Sequence, residues 1–160
     1  MAARKLQHEI GKRQPFGSPR EEALLNLLRT SDQVQIHFTR LFREYGLTSS
    51  QYNVLRILRG EGKPLPILEI AERTLTVVPG ITGLIDRLEQ AGMVRRQRCP
   101  EDRRVIFVAI SEQALKLLDR LDGPVRDLQR RSLAHLTTAE LKTLIRLLEK
   151  VRESSADDRS

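Results

Sequence analysis

The sequence of 160 residues has no tryptophan, only four phenylalanines and two tyrosines, and a single cysteine. Cys99 therefore cannot take part in an internal disulfide framework, and a lone cysteine is typical of a reducing compartment. No apolar run approaches the roughly 20 residues that a membrane-spanning helix needs. The start MAARKLQHEI also lacks the apolar core of a secretion signal. We therefore expect a cytoplasmic protein with no membrane partner.

The residues that usually carry catalysis or bind metals are also scarce. His8, His37 and His135 fall far apart in different predicted elements. The sequence has no nucleophile motif, no phosphate-binding loop and no metal-ligand cluster. We expect neither an enzyme nor a metal ion or other cofactor.

Positive charge is in excess. Lysine and arginine number 28 against 21 aspartates and glutamates, which gives a net charge of +7 and a pI near 10.2. This balance favours an anionic partner, although solvated surface charge would give the same composition. An apolar fraction of 39% that is rich in leucine and poor in aromatics predicts a mostly helical fold.

A long helix is predicted from Ser18-Pro19 to Gly46, because a cap hydroxyl and a proline begin it and a glycine ends it. Its apolar residues recur every three or four positions, at Leu24, Leu28, Val34, Phe38, Leu41, Phe42 and Tyr45. The stripe spans about 26 residues, near 40 Å, which is longer than a single small hydrophobic core can cover. We expect part of it to pack against a second copy of the chain. The basic residues before it predict a flexible arm over residues 1–17.

The next segment predicts three helices, and a tight turn joins the last two. Thr48 and Gln51 cap a helix that stops at Gly60 and Gly62, and a short helix opens at Pro66. Residues 63–66 between them are predicted as an extended piece. Residues 74–78 form the turn, and a further helix is predicted from Pro79 to Gly92. This is the helix-turn-helix arrangement, whose second helix can enter the major groove of DNA.

A basic hairpin follows the helix-turn-helix. Residues 93–98 and 105–110 have the composition of two strands, and Cys99–Arg104 joins them. Five arginines and two acidic residues lie between Arg95 and Arg104. Ser111 then caps a helix that continues through Gly123-Pro124, and Thr137 caps the last helix.

From about Pro19 to Val151 the chain resembles a MarR-family transcriptional regulator. The segments that carry the resemblance are Leu47–Tyr52, Leu68–Arg73, Thr82–Glu89, Gly92–Arg96 and Pro100–Ser111. The last segment contains the family's signature for the hairpin, or wing: an Asp, any residue, an Arg, then alternating apolar residues that close on Ser or Thr. Each segment is weak alone, but their order and spacing together are specific.

The resemblance implies a mainly α fold with a small β-hairpin, in which a winged helix-turn-helix joins a helical dimerisation layer. We expect a flexible basic arm at 1–17, dimerisation helices at 18–47 and 112–153, the winged helix-turn-helix at 48–111 and a tail at 154–160. A homodimer of this kind would bind a pseudo-palindromic operator in double-stranded DNA and act as a repressor. Its half-sites would lie about one helical turn apart.

The resemblance also assigns roles in the wing. Arg104 matches the arginine that enters the minor groove, and Asp102 matches the residue that holds the wing by pairing with a nearby arginine. Arg103 is adjacent and could share the role. Arg95, Arg96 and Arg98 complete the candidate set. Alternatively, Asp102 only makes a hairpin turn and the arginines are solvated.

The recognition helix departs from the family pattern. Where many members have Lys, Ser, Thr and Arg, this chain has Val77, Val78, Pro79, Gly80 and Gly83. Hydrogen-bonded base recognition is therefore sparse. The candidate DNA-binding residues are Thr76, Val77, Val78, Thr82 and Arg87, with either valine able to touch a thymine methyl group. Arg87 could instead pair with Asp86 or Glu89.

Some family members bind small aromatic acids between the dimer layer and the winged helix. For a small aromatic or phenolic effector, this resemblance implies a pocket lined by His37, Phe38, Leu41, Tyr52, Leu65 and Ile67. Two alternatives stay open. Cys99, flanked by basic residues, could sense oxidants, or the winged helix could bind proteins without binding DNA.

Overall fold

The computed structural model describes residues 5–156, which are mainly helical with one small antiparallel sheet, as predicted. In chain order the elements are α1 (Leu6–Glu9), α2 (Pro19–Glu44), α3 (Ser49–Glu61), β1 (Leu65–Pro66), α4 (Ile67–Glu72), α5 (Ile81–Gln90), β2 (Val94–Arg98), β3 (Ile106–Ile110), α6 (Glu112–Ser132) and α7 (Thr138–Ala156). None of the helices within residues 5–156 is long and apolar enough to cross a bilayer. The chain divides after Val125 into two compact units.

The long helix α2 begins and ends where its caps predict. The Ser18 hydroxyl accepts the Glu21 amide at 3.2 Å, and Pro19 occupies the first turn, where its missing N–H costs nothing. Gly46 follows with φ of +74°, a left-handed conformation that ends the helix. Phe42 of this helix is buried and Phe38 and Leu41 pack against the core, whereas four large apolar side chains are exposed in the single chain, namely Leu24, Leu27, Leu28 and Ile36.

The structure adds one helix that the sequence patterns did not predict. The short helix α1 lies inside the segment expected to be a flexible arm, and its Leu6 is buried. The burial of Leu6 stabilises this short helix, and the basic residues and prolines of the segment gave no indication of it. Residues 1–4 of the expected arm lie outside the described residues, as do residues 157–160 of the expected tail.

The core of the unit that ends at Val125 joins α3, α4, α5, the sheet and the first half of α6. Its fully buried side chains come from every one of these elements and include Val54, Leu55, Leu58, Leu65, Ile70, Ile85, Leu88, Val108, Leu118 and Leu121. Because short helices such as α4 and α5 are marginal alone, this shared burial fixes their positions.

The sheet has one more strand than predicted. Residues 65 and 66, expected as an extended piece, pair antiparallel with β3, with Leu65 opposite Val108 and Pro66 opposite Phe107. The strand order is therefore β1, β3, β2. Since β1 lies at the edge, Pro66 is tolerated there despite lacking an N–H. The hairpin of β2 and β3 lies within one residue of its predicted limits.

An ion pair ties α3 to α6. Arg59 donates to both oxygens of Asp122, at 2.7 and 3.0 Å, and its guanidinium also lies 3.6 Å from Asp119. The hydrogen bonds to Asp122 raise the pKa of Arg59 further above its usual value. The two-point geometry fixes orientation as well as distance between the two helices.

The unit after Val125 contains the end of α6 and the whole of α7. The Thr137 hydroxyl accepts the Glu140 amide at 3.3 Å, and Glu140 accepts the Thr137 amide at 2.8 Å, so the predicted capping box is present. Those bonds from Thr137 lower the pKa of Glu140. Several large apolar side chains here remain exposed in the single chain, namely Leu133, Leu144, Ile145, Leu147 and Val151.

Two apolar residues of α4 provide a test of this core. Ile70 is fully buried, whereas Leu68 on the same helix is 76% exposed. We expect Ile70→Ala to lower the free energy of unfolding by about 2–5 kcal/mol through lost contacts and a cavity. Leu68→Ala should change it by less than about 0.5 kcal/mol. Urea unfolding at one fixed protein concentration measures both, and equal losses would contradict this assignment of the core.

Candidate DNA interface

The recognition helix α5 begins two residues later than predicted. Gly80 is its N-cap residue with φ of +68°, and the helix starts at Ile81 rather than near Pro79. A left-handed residue interrupts the helical path, and no neighbouring atom lies within 4 Å of where a β-carbon at Gly80 would stand. Thr76, Val77 and Val78 therefore lie in an irregular segment before the helix and not on it.

The exposed face of α5 carries Thr82, Asp86 and Arg87, opposite the buried Leu84, Ile85 and Leu88. Arg87 folds back along the helix, so that its Nη1 lies 3.7 Å from where a β-carbon at Gly83 would stand. Among the described residues Arg87 forms no ion pair. Its suggested partners Asp86 and Glu89 bind another arginine, so the expectation that Arg87 could pair with either is wrong.

That arginine is Arg96, and strand alternation explains how it reaches α5. Side chains of β2 alternate between the two faces of the sheet, which places Arg96 on the same face as the buried Val94. Arg95 points to the opposite face and is exposed. The face of Val94 packs toward α5, so the Arg96 guanidinium lies beside the recognition helix.

Four hydrogen bonds from Arg96 hold the wing strand against α5. Its backbone amide donates to Glu89 Oε2 at 2.7 Å, and its guanidinium donates to Glu89 Oε1 at 3.2 Å and to Asp86 Oδ1 at 2.5 Å. The Thr82 carbonyl accepts a longer bond of 3.4 Å. Burial opposes the charge of Arg96, but its hydrogen bonds to the two carboxylates and their negative charge outweigh burial and raise the pKa of the guanidinium. We assign Arg96 to positioning rather than to direct DNA contact.

The wing tip is organised by Asp102, but through the backbone. The Asp102 carboxylate accepts the Arg104 amide at 2.9 Å, and its carbonyl accepts the Val105 amide at 3.0 Å. Within residues 5–156 no arginine side chain pairs with it, so the expected ion pair is wrong. An aspartate that bonds two residues ahead closes a turn, which presents Arg103 and Arg104 outward.

Most of the cations predicted in the wing are unneutralised. Arg95, Arg98, Arg103 and Arg104 are exposed, and within the described part of the chain none forms an ion pair. Arg87 on α5 shares this property. Five free guanidinium groups on α5 and one hairpin create a positive potential that favours a polyanion.

The residues predicted to line an effector pocket fall in different environments. Phe42, which was not in the predicted set, stacks on Tyr52 with ring centroids 4.0 Å apart and contacts Phe38 at 5.9 Å. Burial raises the pKa of Tyr52. Leu65 is buried in the core, whereas His37 is exposed. The remaining predicted residues, Leu41 and Ile67, are partly buried against the core.

A groove of about 560 Å³ contains none of the predicted pocket residues. It is lined by Tyr45, Met93, Glu112, Gln113, Lys116, Leu117 and Arg120. The Arg120 guanidinium carbon lies 5.7 Å from the centroid of the Tyr45 ring. Met93 immediately precedes β2, and its carbonyl accepts the Ser111 amide at 2.9 Å. The groove therefore adjoins the base of the wing.

Cys99 lies at the start of the wing tip and is partly exposed. Its backbone amide donates to the Val105 carbonyl at 3.1 Å, which helps to close the tip. Over residues 5–156, no group of three or more His, Cys, Asp or Glu side chains is arranged to hold a metal ion.

A helix-turn-helix followed by a basic hairpin is the architecture of a winged-helix DNA-binding protein. Residues 47–106 match the model of the MarR family. The crystal structure of a MarR transcription factor from Planctomyces limnophilus is 44% identical to this chain, covers 84% of it and 98% of its own length, and aligns with a TM-score of 0.65.

Two further proteins agree with this match. The HTH-type transcriptional repressor IacR of Pseudomonas putida is 32% identical over 125 residues, which is 78% of this chain and 74% of that protein. The structure of Sco3205, a MarR-family regulator from Streptomyces coelicolor in complex with DNA, has a TM-score of 0.77 at 24% identity and covers 89% of this chain and 92% of that one. The chain belongs to the MarR family and is a DNA-binding transcriptional regulator, not an enzyme.

Neighbouring arginines of β2 test the positioning role of Arg96. We expect Arg96→Ala to lower the free energy of unfolding by about 1 kcal/mol, since Asp86 and Glu89 lose a partner but remain reachable by water. Arg95→Ala removes the same charge from the exposed face and should change stability by less than about 0.5 kcal/mol. Thermal unfolding of both variants measures the difference, and the same loss in both would contradict the role.

Proposed function

We propose that this regulator is a homodimeric repressor that binds a pseudo-palindromic operator through its two wings and recognition helices. The observation that carries the proposal is the set of unpaired guanidinium groups on the wing and on α5. Arg59 and Arg73, which lie outside the wing, are paired with carboxylates. Five arginines without an ion pair among the described residues fall within the 18 residues from Arg87 to Arg104, on the elements that a winged helix uses to contact DNA.

The wing tip is suited to the minor groove. Asp102 closes a turn that leaves Arg103 and Arg104 exposed and adjacent at the end of a narrow hairpin. A guanidinium inserted into a narrow A·T-rich minor groove meets an enhanced negative potential. Contacts of this kind depend more on groove shape than on base identity. We assign most of the affinity to Arg103 and Arg104, with Arg95 and Arg98 on the neighbouring phosphates.

The proposed dimer follows from apolar side chains that a single chain leaves uncovered. On α2, Leu24 and Leu28 are 57% and 58% exposed, and Leu27 and Ile36 are also exposed. The second unit exposes its own set on α7, which includes Ile145 and Val151. Exposed apolar rows of this length are typical of an interface. A two-fold dimer would cover them and present two winged helices to the two half-sites.

The dependence of DNA affinity on salt tests the role of the wing. For a duplex selected from genomic fragments, the affinity of the wild type should fall steeply as salt rises. We expect Arg104→Ala to weaken binding and to reduce the slope of log K against log salt by about 1. Arg146→Ala, an exposed arginine of α7, serves as the matched control and should leave the slope unchanged.

Two results would contradict the proposal. If the wild type bound no duplex at about 50 mM salt, where phosphate contacts are strong, the DNA-binding role would fail. If Arg104→Ala and Arg146→Ala had equal slopes, the wing tip would not be the contact.

We further propose that a small aromatic acid releases the repressor by binding the groove at the base of the wing. Arg120 offers a cation for a carboxylate, whereas Lys116 is paired with Glu112 at 3.0 Å, and Tyr45 offers a ring face. Because Met93 and Gln113 join the groove to the start of β2 and of α6, a ligand there would shift the wing relative to α6. The proposed effector site is therefore this groove rather than the stack of Phe38, Phe42 and Tyr52.

A panel of hydroxybenzoates provides the probes for this site. At a ligand concentration of 100 times Kd, binding should stabilise the wild type by about 2.7 kcal/mol and raise its melting temperature. Arg120→Ala should lose this response, while His37→Ala, a predicted pocket residue that is exposed, should retain it. A response lost in His37→Ala and kept in Arg120→Ala would place the effector in the predicted pocket instead.

A further inference from the structure

Two apolar side chains just before α5 project into solvent. Leu75 and Val77 are 82% and 86% exposed, more than any other large apolar side chain of the described residues. The next residue, Val78, packs against the core and anchors the segment. Val78 therefore fixes the segment to the core, while Leu75 and Val77 extend into solvent.

These side chains closely precede the recognition helix α5 in the sequence. Only Val78 and Pro79 separate Val77 from Gly80, the N-cap residue of α5. In the first turn of that helix, the Thr82 carbonyl bonds to Arg96 of the wing strand. The unpaired Arg87 follows along the same helix, with its guanidinium folded toward Gly83. A partner of this surface must therefore be anionic and also offer apolar groups at close range.

The major groove of DNA has that chemistry. Phosphates supply the negative charge, and the C5 methyl group of thymine is the apolar group on the edges of its bases. Protein partners of such a surface would need matched acidic and apolar patches. The unneutralised arginines of the wing, together with membership of a family of DNA-binding regulators, favour the duplex.

Polar groups that could recognise bases are few in this segment. Residues 74–89 contain no asparagine or glutamine, the side chains that pair with adenine through two hydrogen bonds. Thr74 already donates its hydroxyl to the Ala71 carbonyl at 2.8 Å. Asp86 and Glu89 are bound to Arg96. Thr76, Thr82 and Arg87 are the polar side chains that remain.

We infer that Leu75 and Val77 contact thymine methyl groups in the major groove and supply much of the sequence specificity of this regulator. The inference rests on the proposed binding of an operator. The wing would then make the charged contacts with phosphates, and the segment before α5 would make the apolar contacts with bases.

Replacement of thymine by uracil tests the inference, since uracil keeps every hydrogen-bonding group and lacks only the methyl. Duplexes selected by the wild-type protein from a randomised library would be amplified with dUTP in place of dTTP. We expect wild-type affinity to fall about fourfold for each contacted methyl, which corresponds to roughly 0.8 kcal/mol. Val77→Ala and Leu75→Ala should bind the thymine duplex more weakly and lose less on uracil substitution.

Leu68→Ala is the matched control, because Leu68 is exposed to a similar degree on α4. This variant should keep the full wild-type response to uracil. Equal affinity of the wild type for thymine and uracil duplexes would overturn the inference, with operator binding itself intact. An equal loss in wild type, Leu75→Ala and Val77→Ala would also overturn it, since the methyl would then act through DNA shape or through other residues. Failure to bind any thymine duplex would instead contradict the proposed function.

Discussion

The contact between Arg96 and the two carboxylates of α5 determines the geometry of the proposed DNA-binding surface. The wing hairpin is joined in the sheet only by the two-residue strand β1, and a two-stranded hairpin has little stability of its own. Arg96 joins its first strand to Glu89 and Asp86, and the buried Val94 on the same face adds apolar contact. The distance between the wing and α5 is therefore set within the chain, before any DNA is bound.

This arrangement also divides the arginines by role. Arg59, Arg73 and Arg96 lie in ion pairs that join one helix or strand to another, for example Arg73 to Glu61 at 2.7 Å. Within residues 5–156, Arg95 on the opposite face of β2, Arg98 at its end, and Arg103 and Arg104 at the tip form no ion pair. A net charge of +7 alone does not identify a binding surface, because paired and free cations count equally in composition. The positions of the carboxylates decide which cations are neutralised.

Local signals made most of the fold predictable. The caps at Ser18, Thr48 and Thr137 involve residues three positions apart, so both partners can be recognised within one short stretch of sequence. By contrast, β1 exists only because Leu65 pairs with Val108, more than forty positions away. The start of α5 was misplaced because Pro79 suits the first turn of a helix, whereas Gly80 adopts a left-handed conformation that only the structure reveals.

The candidate site was predictable in its location and less so in its roles. Five arginines in ten residues marked the hairpin, but their sequence spacing does not separate Arg96 from Arg95. The alternation of β2 from Val94 does so, and it could have been applied to the sequence. Leu75 was missed because an apolar residue in a turn resembles a core residue until its exposure is known.

The exposed Leu24 and Leu28 have a further consequence during synthesis. They leave the ribosome roughly 110 residues ahead of α7, an interval of roughly 6 to 22 s at ordinary elongation rates. Throughout that time these apolar side chains of α2 stay exposed to solvent.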